Sequence, residues 1–254
     1  MTAAERSLPI SINRRLLFAG IFLISSSGLV LEVAITRIFS AAIWYHYAFV
    51  AVSVALLGLG ASGLAVQYGL RRIKGNWAEN LAIVSALAMV AFVPVTLYVM
   101  HALVSQTAYL PLFMFLFTIP FFLIGIIISA AFNAFAAVAG KLYAADLIGA
   151  SAGALLVVLF LILPGREGAT LIVGVIAAIT ATIFSRITKN IGKTIVCLAF
   201  VAFAASLLFV NQNTQIFAIP TDPTALKDLP LYLRSIPGQR LSRHNGIPFR
   251  ESML

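Results

Sequence analysis

Residues 16–39 read LLFAGIFLISSSGLVLEVAITRIF, and no charged side chain occurs before Glu32. An α-helix needs about 20 predominantly apolar residues to cross the hydrocarbon core of a bilayer. The stretch is long enough to do so, and Arg14-Arg15 stand just before it. Small residues, Ser25-Ser26-Ser27-Gly28, follow the first apolar run in the manner of a signal-peptide cleavage site. The apolar character continues past them, which favours a retained membrane anchor. Two residues then break the pattern, Glu32 and Arg37. Five positions on a helix turn about 500°, so their side chains point roughly 140° apart. That is not the i,i+4 spacing at which opposite charges pair along one helix.

The whole chain shares this character. Of its 254 residues 61% are hydrophobic and 10% charged, against about 25% charged in a soluble domain. The expected fold class is an all-α membrane protein, a polytopic bundle of about seven transmembrane helices. The spans run over 16–36, 46–68, 81–103, 112–138, 147–163, 169–184 and 195–210. The last three are short, so their ends should extend into flanking polar residues. Pro94 and Pro120 fall inside spans and should kink them. The lipid bilayer is the first partner implied. The net charge of +9 does not indicate nucleic-acid binding, because the basic residues cluster between apolar spans. Arg14, Arg15, Arg71, Arg72, Lys74, Lys141, Arg186, Lys189 and Lys193 fall on one side if the N-terminus is cytoplasmic. The loops between spans on the other side carry only Arg37 and Arg166, the latter beside Glu167. A lone cysteine, Cys197, excludes an internal disulfide and a cysteine-based metal cluster. No metal, cofactor or catalytic residue is expected.

The chain divides into a cytoplasmic N-terminal segment, 1–15, a transmembrane domain, 16–210, and an extramembrane arm, 211–254. The arm holds five of the ten prolines and no apolar periodicity. It cannot bury a core of its own. It is expected to be irregular and to dock on a partner.

An acid within a span needs a partner from another helix or a wet cavity. Glu32 falls in the outer third of the first span, and Arg37 at its end can snorkel to the interface. Trp44, His46 and Tyr47 open the second span, which makes His46 a candidate partner for Glu32. The plain reading of Glu32, Arg37, His46 and Tyr47 is a polar clamp between the first two spans. The sharper one is a small-cation site. Asp146 falls at the cytoplasmic end of the fifth span, so it is expected at the opposite depth from Glu32, without contact to Arg37. Lys141, Arg71 and Arg72 lie at its depth, and so do the free N–H groups at the start of its own helix. Gly149 and Gly153 form a GxxxG, and Gly58, Gly60 and Gly63 line the second span. Both patterns point to close helix packing. His101 and Glu79 support no constellation.

The stretch from Leu17 to Ala65 resembles the membrane region of the spermidine synthase-like membrane proteins. The resemblance rests on Glu32, Thr36-Arg37, Ser40, Tyr47-Ala48-Phe49 and Leu57-Gly58-Leu59-Gly60, and on a second signature, Tyr143, Asp146, Leu147, Gly149 and Gly153. Residues 119–132 also resemble the span before that signature. In that family a multi-span domain is joined to an aminopropyltransferase-like domain with a Rossmann-like sheet, which the arm does not match. The resemblance implies a non-catalytic membrane module in a bacterial inner membrane. It would anchor or assemble with a partner protein, or a separate catalytic subunit docking with the 211–254 arm, and could bind a small cation or polyamine. Residues 63–75, with Gln67, Gly69 and Arg71-Arg72, resemble the major-facilitator loop motif. That makes the bundle partly major-facilitator-like, with Asp146, Tyr143, Arg71 and Arg72 as a cytoplasmic-side latch. A small amine or cation transporter and a structural subunit of a larger complex are the alternative readings.

Overall fold

The computed structural model describes residues 14–42, 48–68, 77–103, 109–188 and 190–219, and the backbone of 242–244 and 247–249. Seven helices form the body: α1 (Arg14–Ala42), α2 (Ala48–Tyr68), α3 (Trp77–Leu103), α4 (Leu110–Ala134), α5 (Ala139–Ile162), α6 (Gly165–Ile187) and α7 (Ile191–Thr214). All seven are long and apolar enough to cross a membrane. The chain is an integral membrane protein. In the arm, Ser242–His244 pairs antiparallel with Ile247–Phe249; its other residues beyond 219 lie outside the described segments.

Successive helices alternate in direction. The end of the bundle where α1 begins is called here the near end, and the other the far end. Asn133 donates to Gln67 across the near end, and His101 meets the chain after α7 at the far end.

The helix boundaries correct the sequence reading at two places. The fourth span was expected to reach Val138, but α4 stops at Ala134. Phe135, at φ −120° and ψ 39°, breaks the helix, and Ala136–Val138 forms a single 3₁₀ turn. The segment is apolar throughout and carries no Gly or Pro to mark the break. In consequence α5 starts at Ala139, two turns ahead of Leu147. The arm was expected from 211, but α7 continues to Thr214. Gln215, at φ 53°, ends it with its N–H donating to the Asn211 carbonyl. The α5–α6 turn is tight and uses Gly165 at φ 75°, a conformation that favours glycine. Asn190 caps α7 through its side chain, which accepts from the Lys193 N–H at 3.1 Å.

α1 and α6 are the inner helices. α1 packs on α5, α6, α2 and α4, while α6 packs on α1, α3, α7 and α5. Of the apolar window of α6, 67% is buried, against 17% for α5 and 22% for α7, which are peripheral. The sequence explains the position of α6. Its buried face is made of small residues, including Gly168, Ala169, Gly174, Ala177, Ala178 and Ala181, so neighbours can approach from several sides. α4 contributes the bulk. Phe113, Phe117 and Phe121 recur every four residues, so they share one buried face. Phe117 meets Phe39 of α1 edge to face, with centroids 5.3 Å apart.

Candidate functional site

Two polar clusters stand out from the apolar packing. The first lies in the α1–α5 seam. The Ser25 hydroxyl donates to Asp146 Oδ1 at 2.5 Å, joining residues 121 positions apart. The glycines of α5 allow the approach. A Cβ on Gly149 would strike the carbonyl of Phe22, and one on Gly153 that of Ser26. Equal steps along both helices, 149 to 153 and 22 to 26, mean that the pair runs parallel. Ser25 lies roughly 16 Å above the start of α1 at 1.5 Å per residue.

Asp146 therefore does not cap its own helix. The expected N–H partners belong to residues two turns earlier, where Val138 occupies the cap position without a side-chain bond. In depth Asp146, beside Ser25, lies on the near-end side of the middle of α1, and Glu32 lies on the far-end side, roughly 10 Å further along. Glu32 follows Ser25 by seven residues, about two turns and roughly 20° around α1. Both acids thus sit on nearly one face of α1. Burial leaves Glu32 partly exposed, and its carboxylate makes no hydrogen bond or ion pair among the described residues. Its backbone carbonyl accepts from the Thr36 hydroxyl at 2.7 Å. Arg37 and Tyr143 are exposed. His46, Tyr47, Arg71 and Arg72 lie outside the described residues.

The glycines of α2 divide. A Cβ on Gly58 would meet Phe121 Cβ at 2.7 Å and Thr118 O at 2.8 Å, in the seam with α4. Gly60 has nothing within 4 Å and faces outward. The expectation that it packs fails because residues two apart on a helix point about 160° away from each other. Gly63 has only Ser129 Oγ nearby, at 3.9 Å.

The second cluster is at the far end, where the chain leaves α7. Arg166 Nε donates to Glu167 Oε1 at 2.8 Å, and Arg166 Nη2 to the Ile219 carbonyl at 3.1 Å. The Ile219 N–H returns to Glu167 Oε1 at 3.3 Å. One ion pair thus holds both backbone groups of one residue. Asn211 Oδ1 accepts from the Phe217 N–H at 3.1 Å, and Gln212 donates to the Pro164 carbonyl. His101 Nδ1 lies 2.6 Å from the Ala218 carbonyl. A carbonyl can only accept, so that nitrogen carries the proton. Arg166, Glu167, Asn211, Gln212 and Ile219 are among the residues lining a half-open cavity of about 200 Å³ there.

Sequence reasoning noted Arg166–Glu167 only as a loop pair and set His101 aside. The signal was thin. Glu167 is in the first turn of α6, where an acid suits the helix dipole whatever else it does. Nothing local shows that residues 211–219 return to meet it. The cap's hydrogen bonds grip main chain, and the side chains of Phe217 and Ile219 are buried in the apolar core beside it, so both backbone and side chains fix where the polypeptide goes. Among the described residues no group of three or more His, Cys, Asp or Glu side chains could hold a metal ion. No family model, curated protein or solved structure matches the chain.

Proposed function

We propose that the chain is a non-catalytic membrane module, of the spermidine synthase-like kind, that anchors or assembles with a partner through the 211–254 arm. The carrying observation is the far-end cap. Three residues just after α7, Phe217, Ala218 and Ile219, are tied to α3, α6 and α7 by His101, Arg166, Glu167 and Asn211. A solvated linker gains little from such an anchorage, because ordering each backbone residue costs about 1–2 kcal/mol. An arm that must leave the membrane at a set place and heading gains a great deal. The near end faces the cytoplasm in this reading. Arg14, Arg15, Lys141, Arg186 and Lys193 lie there, in keeping with the positive-inside rule.

The test is a native gel of the chain extracted in mild detergent, run beside a form lacking 220–254. The full chain should migrate as a larger complex, and the shortened one should not. Equal migration of both as the isolated chain would remove the reading. Orientation follows from maleimide labelling of cysteines placed at Arg14 and Arg166. Cys197 is fully buried and gives little background.

A second reading, transport of an amine or cation, is favoured by the unpartnered Glu32 carboxylate two turns beyond Ser25 and Asp146. Saturable spermidine uptake into proteoliposomes, lost in Glu32→Gln, would support it; no saturable uptake sinks it.

A further inference from the structure

Arg37 is an exposed cation five residues before the end of α1, and it makes no hydrogen bond or ion pair among the described residues. It lines a groove of about 420 Å³ with Ala41 of α1, Val158, Leu161 and Ile162 of α5, and Arg166 at the start of α6. The groove is thus cationic at the rim and apolar along the wall. Val158 and Ile162 are 58% and 73% exposed, so the wall opens sideways. Among the described residues, the acid next to Arg166, Glu167, is not part of the lining. Its Oε1 already accepts from Arg166 Nε and the Ile219 N–H. Arg166 spends Nε and Nη2 on the cap, and its Nη1 has no partner. Two guanidiniums therefore border one groove with no carboxylate among the described residues that line it.

Seven spans set this groove at the edge of the hydrocarbon, where each guanidinium can reach the headgroups but two of them on one groove repel each other. An anion at that depth relieves the repulsion. Guanidinium is planar and matches phosphate oxygens with paired N–H donors, which a hydrated ammonium does not. An apolar wall leading away from the cations has no use for a soluble anion, but it suits acyl chains. We infer that the Arg37–Arg166 groove binds the phosphate of an anionic phospholipid, with its acyl chains along the α5 face. This site stands whether or not a protein partner exists.

The test uses the full chain purified in dodecyl maltoside, with bound lipids counted by native mass spectrometry. The probes are phosphatidylglycerol, phosphatidylcholine of the same acyl chains, and inorganic phosphate. Wild type should prefer phosphatidylglycerol. Arg37→Gln should weaken that lipid about fivefold, as expected for one cation near an anionic headgroup, and leave phosphatidylcholine unchanged. Arg37→Lys, which keeps the charge, should fall between. Arg186→Gln, at the near end, should bind as wild type, and unchanged phosphatidylcholine binding certifies that the variants are folded. Equal affinity for the two lipids, full retention of phosphatidylglycerol by Arg37→Gln, or displacement of it by inorganic phosphate at similar concentration would each overturn the site.

Discussion

The α1–α5 and α2–α4 seams are built on the same plan and differ in one ingredient. Both join parallel helices through glycines that meet the partner's backbone. In α1–α5 the glycines are on one helix, Gly149 and Gly153, against Phe22 and Ser26. In α2–α4 they are shared, Gly58 against Phe121 and Gly125 against Ser62 and Leu59, again four residues apart on each side. In α2–α4 the serine is turned inward on its own helix, its hydroxyl donating to the Leu59 carbonyl at 2.6 Å. In α1–α5 it donates across the seam to Asp146. Close approach therefore does not need a polar bond, and the Asp146 bond is an addition to a contact that glycine already permits. Helices in lipid gain nothing from hiding apolar surface from each other, so shape is the first requirement and the hydrogen bond the second.

The harshest way to break the likeness is a large side chain. Gly153→Leu and Gly58→Leu should each separate their seam, since the first atom added meets backbone that cannot rotate away. Loss of folded protein on size exclusion in detergent is the expected outcome for both. A folded, monodisperse Gly153→Leu would show that the α1–α5 contact is looser than drawn. Alanine is milder and grades the seams. Gly149→Ala and Gly58→Ala should each cost about 1–3 kcal/mol, the usual range for overpacking, measured by denaturation in mixed micelles.

The added bond is smaller. A double-mutant cycle of Ser25→Ala with Asp146→Ala should give a coupling near the average of about 0.6 kcal/mol for interhelical bonds in membranes, and no more than about 1.7. The same cycle on Ser62→Ala and Gly125→Ala reports steric relief instead, with the opposite sign: removing the hydroxyl makes room for the new methyl. Equal signs in the two cycles would erase the distinction. Smallest of all is Gly60→Ala. With nothing within 4 Å it should be neutral or stabilise by up to about 1 kcal/mol through helix propensity.

Much of this was legible in the chain. An apolar run such as 16–31 has one stable home, and its length fixes a spanning helix because unpaired backbone groups cannot lie in lipid. The number and rough positions of the spans follow. Pairs such as Gly149 and Gly153, four apart, advertise a face. The spacing of Gly58 and Gly60 misleads only until the helical angle is counted. Asp146 was misplaced because Gly140 and Lys141 read as the loop between spans when they are the first turn of α5, and an error of two turns there moved the acid from the body of the seam to the edge of the membrane.

What the sequence alone determined is therefore the one-dimensional part: that the chain lives in a bilayer, which segments cross it, and where glycine lets helices touch. Hydrophobicity and helix length act locally, so they can be read locally. Only the tertiary structure decided that Ser25 meets Asp146, that Glu32 shares their face of α1, and that Arg166 and Glu167 seize the chain after α7. Those partners are about 50 to 120 residues apart. Every span is oily on all sides, so no polar stripe says which neighbour a face will find, and that choice is made by side-chain shape across the whole bundle.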